Sequence, residues 1–157
     1  EHFSGHFSAT YTAGKYASYK NGPCPLEAIA TSTTVCDLSG RPLSGLPAWA
    51  LSLGGDYVTP LDLADLSGQA YLHGEYSYRS KVYGDPSDSR YTLMPAYSLL
   101  HTSLGWRNGK WDLSLWVRNL TNEHYLQNVT VQAGNSGLVV GTPSDPRMYG
   151  VTLRATY

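Results

Sequence analysis

The last eleven residues, R-M-Y-G-V-T-L-R-A-T-Y, alternate in chemistry with a period of two. Counting back from the end, Tyr157, Ala155, Leu153, Val151 and Tyr149 fall on one face of an extended strand, and Thr156, Arg154, Thr152, Gly150 and Met148 on the other. The apolar face begins and ends in tyrosine. Aromatics eight residues apart on a strand tilted near ~40° bracket a height of roughly 20 Å, close to that of the lipid band of a transmembrane barrel.

The same alternation recurs along the chain. Phe3, Phe7, Ala9, Tyr11 and Ala13 share a face over residues 3–19, opposite His6, Ser8, Thr10 and Thr12. Trp49, Leu51, Leu53, Gly55 and Tyr57 form the next apolar face, again with aromatics eight apart. After a short connection over residues 59–68, Ala70, Leu72, Gly74, Tyr76 and Tyr78 alternate with Tyr71, His73, Glu75, Ser77 and Arg79. Residues 98–106 give a fourth strand. Trp106 and Trp111 then flank Asn108-Gly109, a hairpin signal, and Trp111, Leu113, Leu115 and Val117 oppose Asp112, Ser114, Trp116 and Arg118 in a fifth.

Long segments rich in Gly, Pro, Ser and Asn follow strands one, three and five (residues 20–47, 81–95 and 119–146), whereas short turns follow strands two and four. Long loops on one edge and tight turns on the other are the asymmetry of a membrane barrel. Aromatics near the short-turn edge (Tyr57, Trp106, Trp111, Tyr157) and near the long-loop edge (Trp49, Tyr76, Tyr78, Tyr149) read as two belts around a Leu, Val and Ala band. The expected fold is therefore all-β: an antiparallel up-and-down transmembrane β-barrel segment of about six strands, an incomplete barrel. A soluble β-sandwich that binds carbohydrate through its Tyr and Trp, and a small passive outer-membrane porin or adhesin, are the alternative readings.

Composition agrees. Tyr occurs 13 times and Trp 4 times against 2 Phe, Gly reaches 16, and only 15% of residues are charged, which suits half-buried twisted strands. A net charge of −1 gives no electrostatic reason to expect nucleic acid, whose binding needs a basic stripe. No apolar run approaches the length of a membrane helix. The chain begins at Glu1 without a leader pattern, which leaves either a removed leader or a piece of something longer. Cys24 and Cys36 share one polar loop and lack the further close pairs of a thiolate metal site, so a loop disulfide in an oxidising compartment is favoured over two free thiols. His2 and His6 are spaced H-x3-H without the glutamate of a metalloprotease helix, and a metal there is disfavoured. No G-x-S-x-G and no catalytic His setting is present, so neither catalytic residues, metal ligands nor a cofactor are expected.

The stretch W-D-L-S-L-W-V-R-N-L-T-N-E-H-Y-L over residues 111–126 resembles the C-terminal part of a TonB-dependent outer-membrane receptor. In that family the penultimate strand leads into an N-L-[TF]-[DN]-x-x-Y turn, here Asn119, Leu120, Thr121, Asn122 and Tyr125. The last strand follows a Pro-Arg, here Pro146 and Arg147, and opens on an aromatic-Gly pair, Tyr149 and Gly150. The G-R-P-L passage from Gly40 leading to Pro47-Ala48-Trp49 is also similar. Residues 141–146 make a longer approach to the Pro-Arg than the family's.

The resemblance implies that residues 1–157 are the C-terminal portion of a receptor barrel, with the plug domain and the TonB box lying outside this chain. It implies TonB-coupled uptake of a scarce small-molecule nutrient such as an iron–siderophore complex, in the outer membrane of a Gram-negative cell and not an enzyme's activity. The implied partners are outer-membrane lipid, the plug of the same chain, the inner-membrane energy-coupling complex and the barrel-assembly machinery. Tyr149, Val151, Leu153, Ala155 and Tyr157 match the assembly signal of a last strand, Ala155 being small for its place. The loops would face outside and contact ligand. Arg79, Glu75, Asp112, Arg118 and Arg154 would line the lumen, either as solvated wall or paired with the plug.

Overall fold

The computed structural model describes residues 2–31, 35–63, 66–132 and 137–157. Six strands form one antiparallel sheet in chain order: β1 (Phe3–Tyr11), β2 (Trp49–Leu63), β3 (Leu66–Arg79), β4 (Tyr97–Arg107), β5 (Trp111–Arg118) and β6 (Met148–Ala155). Every neighbour in the sheet is also a neighbour in sequence, so the topology is up-and-down. β1 and β6 are its two open edges.

Register carries the alternation across the whole sheet. Phe3 lies opposite Tyr57, Tyr57 opposite Leu72, Leu72 opposite Leu104, Leu104 opposite Leu115 and Leu115 opposite Val151, all on one face. A one-residue slip anywhere would send this set to the polar side, which is why the pattern specifies register so strongly. The apolar face is uncovered: Phe7, Leu53, Leu104, Leu115 and Leu153 are all exposed. No second sheet faces it among the described residues, as a sandwich would require. Tyr11 packs against Trp49 at the long-loop edge (ring centroids 4.8 Å apart), whereas Tyr57, expected near the short-turn edge, stands inside β2 in the rung of Leu72, Leu104 and Leu115, because β2 continues to Leu63.

Two boundaries differ from the sequence expectation. β1 ends at Tyr11 instead of continuing to residue 19, because its partner strand starts at Trp49 and the final rung is Thr12 N–H donating to Ala48 O (2.9 Å). Residues 59–68 are not a connection. β2 and β3 run through them as paired strands, and only residues 64 and 65, outside the described set, lie between them. Pro60 stands inside β2 opposite Gln69, two residues beyond Val58, whose N–H donates towards the β1 side, to His2 O (2.8 Å).

The hydrophobic core lies in the loops, not in the sheet. The buried apolar side chains among the described residues are Cys24, Leu38, Val82, Met94 and Val129, all outside β1–β6. Loop 1 (residues 12–48) contains a short ladder of Gly22–Pro23 with Val35–Cys36, a 3-10 turn over Leu26–Thr31, and a disulfide between Cys24 and Cys36. Loop 2 (residues 80–96) pairs Val82–Tyr83 with Leu93–Met94. Loop 3 (residues 119–147) pairs Leu126–Val131 with Val139–Pro143. Val82 and Met94 of loop 2 pack on Val129 and Val139 of loop 3. Gly84 belongs to this contact: a Cβ there would run into the Val129 carbonyl, so only glycine lets the two backbones meet.

Candidate functional site

The polar face of the sheet and the loops at its end enclose the candidate site. Along β3 two acidic–histidine pairs are set by register alone. His73 faces Asp56 across β2, with Nδ1 2.7 Å from the Asp56 Oδ1, and Glu75 faces His101 across β4. His73 and Asp56 are partly solvated, so this is a wall contact of modest strength. His101 Nδ1 accepts the Asn119 N–H (3.1 Å), which places the ring proton of the neutral imidazole on Nε2.

Nearer the short-turn edge, Tyr71 donates to Asp112 Oδ1 (2.8 Å), and the Arg107 guanidinium stands 5.6 Å from the Tyr71 ring. Asp112 lies opposite both Arg107 and Arg154. Two aromatic side chains on this face cover glycines directly across from them: Tyr71 lies over Gly105 and Trp116 over Gly150. The bare backbone of each glycine is shielded by a neighbour's ring, which keeps the strand paired and twisted. Trp116 also donates from Nε1 to Thr152 (3.2 Å) and carries Arg118 over its ring at 5.4 Å.

A cavity of about 640 Å³ opens on this wall, bordered by His73, Glu75, His101, Trp116, Arg118 and Tyr125. Its lining mixes cationic, acidic, imidazole and aromatic groups. Such a surface offers hydrogen bonds and stacking to a polar solute or a protein domain without strong charge selection. Of the expected lumen residues, Glu75, Asp112, Arg118 and Arg154 all lie on the polar face. Arg79 lies there too, but its Nη2 turns up to the loops and donates to Gly45 O (3.1 Å).

The N-L-T-N turn closes the upper rim. Asn119 and Asn122 both adopt left-handed backbone, at φ 53° and 55°. The Asn119 side chain, 5% exposed, donates from Nδ2 to Glu123 O (2.9 Å) and Asp145 O (3.3 Å) and accepts the Glu123 N–H at Oδ1 (2.8 Å). Arg147 N–H donates to Asn122 Oδ1 (3.1 Å). The turn therefore clamps the start of loop 3 to its end. Tyr125 stacks on Tyr97 with centroids 3.9 Å apart, and burial, reinforced by the Tyr97 and Asp145 charges, raises its hydroxyl pKa. Leu120 and Thr121 are exposed, with Leu120 N–H donating to Leu100 O (2.8 Å). His2 and His6 are occupied separately, His2 Nδ1 against Val58 O (3.0 Å) and the His6 ring over Gly54. Among the described residues no three His, Cys, Asp or Glu side chains gather in a way that could hold a metal.

Sequence reasoning missed the way the loops are joined. Glu27 of loop 1 accepts Ser89 Oγ–H (2.7 Å) and Arg90 N–H (3.0 Å) of loop 2. Asp85 of loop 2 accepts the Ser87 N–H (2.9 Å), Thr130 Oγ1–H (3.2 Å) and Val131 N–H (3.3 Å), the last two from loop 3. Burial alone would raise both carboxyl groups. Donated hydrogen bonds outweigh it and hold each below its ordinary value.

No curated protein matches the chain. Among solved structures, the sheet and loops are similar to the siderophore receptor PiuA from Acinetobacter baumannii (TM-score 0.70, 19% identity, 98% of this chain and 19% of that one). They are also similar to the ferric yersiniabactin uptake receptor FyuA from Yersinia pestis (TM-score 0.65, 17% identity, 76% of this chain and 18% of that one). The chain thus spans less than a fifth of either receptor, and at these identities the likeness is one of fold. The model of the TonB dependent receptor-like β-barrel family matches residues 3–120, most of the length, so this chain belongs to that family.

Proposed function

We propose that residues 1–157 are the C-terminal portion of a receptor in the outer membrane of a Gram-negative cell, which takes up a scarce nutrient such as an iron–siderophore complex by TonB-coupled transport. The observation that carries this is the division of the sheet into two unlike faces. One is apolar, bare and bounded by aromatics, as lipid demands; the other is polar, paired across strands and roofed by three joined loops. The polar wall serves as the seat of the receptor's plug domain, through which an inner-membrane complex supplies energy, and the cavity below the loops receives the nutrient. That one similar structure is named a siderophore receptor and the other a ferric yersiniabactin uptake receptor supports an iron chelate as the cargo.

The test is the state of the native protein in membranes, detected with an antibody against this segment. A band several times 17.1 kDa that shifts on boiling is expected. A non-shifting soluble band at 17.1 kDa would refute the reading. Cargo is then tested by uptake of radio-iron chelates into cells that make the full receptor, with loss expected for Trp116→Ala combined with Arg118→Ala. Tyr149, Val151, Leu153, Ala155 and Tyr157 act as the signal read by the barrel-assembly machinery. Deleting Tyr157 should lower the folded, membrane-inserted fraction, and unchanged insertion would remove that role.

A further inference from the structure

The turn between β4 and β5 is built on one side chain. Asn108, Gly109 and Lys110 are all exposed, and Asn108 N–H donates to Trp111 O (2.8 Å). The Asn108 Oδ1 accepts two backbone donors at once, Lys110 N–H (2.9 Å) and Trp111 N–H (2.8 Å). An amide oxygen with two N–H groups aimed at it has the surroundings of an oxyanion hole, where charge gathering on the oxygen is met without rearrangement. The carbon behind that oxygen is Cγ, and the nitrogen of Gly109 is its neighbour along the chain.

Gly109 supplies the rest. Its N–H has no acceptor among the described residues, so solvent can take the proton. A Cβ at Gly109 would meet nothing within 4 Å, and neither Asn108 nor Gly109 has left-handed backbone. Neither space nor conformation therefore requires glycine there; what its bare Cα leaves open is the approach to its own nitrogen. The same dipeptide occurs at Asn21-Gly22 in different surroundings. Gly22 is buried in a ladder opposite Cys36, beneath the side chains of Leu38 and Tyr19.

We propose that Asn108 is a self-modification site, converted within its own turn to aspartate and isoaspartate with water as the co-reactant. Solvent removes the Gly109 N–H proton and the nitrogen attacks Cγ. Oδ1 carries the negative charge between the Lys110 and Trp111 N–H groups, and the Cγ–Nδ2 bond breaks as the amide takes up a proton and leaves as ammonia. Water then opens the five-membered imide at either carbonyl. The product sets a carboxylate between Arg107 and Lys110 in the chain and, as isoaspartate, lengthens the backbone of the turn. Thr156 N–H donates to Lys110 O (2.9 Å), so the altered turn is the one that holds the end of the chain after β6. The modification goes beyond nutrient uptake and stands whatever the cargo is.

The experiment incubates the full-length receptor in mildly alkaline buffer, folded in detergent and, in parallel, unfolded in guanidinium chloride. Peptide mapping by mass spectrometry follows amide-to-acid conversion at positions 108 and 21, and an isoaspartate-specific methyltransferase labels the isoaspartate product. Unfolded, the two positions should convert at similar rates. Folded, position 108 should convert on the order of tenfold or more faster than position 21, where Gly22 must first open locally. Gly109→Ala should all but abolish conversion at 108 and leave 21 unchanged. Lys110→Pro, which lacks one of the two donors, should slow conversion at 108 about two- to tenfold in the folded protein and leave the unfolded chain unchanged. Equal conversion at both positions in the folded protein, or none at 108 while the unfolded chain converts, overturns the site. A folded Lys110→Pro that converts as fast as the parent or faster overturns the role of the donors, because the hydrogen bonds would then be holding the amide away from Gly109.

Discussion

Replacing Asn119 separates two contributions that the turn combines. Its backbone sits at φ 53°, where any Cβ is strained; asparagine offsets that strain by local bonding of its short polar side chain and alanine does not, a difference of about 1 kcal/mol. Its side chain also fills the Glu123 N–H and two carbonyls in a region that is 5% exposed at Asn119 itself. Leaving one such buried donor unpaired costs about 1–3 kcal/mol. Asn119→Ala should therefore weaken the closure of loop 3 by about 2–4 kcal/mol. Asn119→Gly loses the same hydrogen bonds but not the backbone preference, so it should cost about 1 kcal/mol less than alanine. The assay is amide hydrogen exchange of residues 122–126 in the full receptor. There the alanine variant should exchange roughly 30- to 700-fold faster, while β5 and β6 stay protected. Equal rates for the alanine and glycine variants would refute the backbone part of the reasoning. An unchanged rate for alanine would refute the clamp altogether.

Acid should loosen the join between loops 1 and 2. The folded pKa of Glu27 is depressed, so its contribution is full above the unfolded value near ~4.3 and is lost as pH falls through the lower folded value. Protease protection of loops 1 and 2 should decline below about pH 4, and Glu27→Gln should flatten that dependence; a parent protected equally at pH 7 and pH 3 would contradict it. Removing the disulfide with Cys24→Ser and Cys36→Ser frees a loop closed over a separation of 12 residues, a loss of about 3 kcal/mol on the chain-entropy account, read as faster nicking of loop 1. Arginine on the two faces of β5 should behave oppositely. Leu115→Arg on the bare apolar face should cost about 2–4 kcal/mol in the membrane, whereas Ser114→Arg on the polar face should leave folding near normal. Similar losses from both would undermine the assignment of faces.

Alternation made the sheet legible because a period of two leaves little freedom once one face is apolar. Phe3, Tyr57, Leu72, Leu104, Leu115 and Val151, placed on one face by counting, form one continuous register. The Asn119 turn was legible as a family motif, though its clamp geometry was not. Pro60, Asp62 and Gly68 misread as a connection because turn residues punctuate sequence regardless of whether a partner strand is there to object. The loops were the least legible part. Their ladders are only two to six residues long, too short for periodicity to show, and the core made by Val82, Met94 and Val129 joins residues far apart in the chain. Nor does any local pattern announce that Glu27 will find Ser89 or that Asp85 will find Val131.

In the orientation proposed above, with the loops outside the cell, their joining bears on how an immune system or a bacteriophage would see this protein. Glu27 meets Arg90, Asp85 meets Val131, and Met94 packs on Val129, so the surface they present is assembled from three stretches of chain at once. An epitope on that surface is discontinuous. A synthetic peptide copied from any one loop lacks the partners that give it shape, and a binder raised against such a peptide would recognise the unfolded segment in preference to the native receptor.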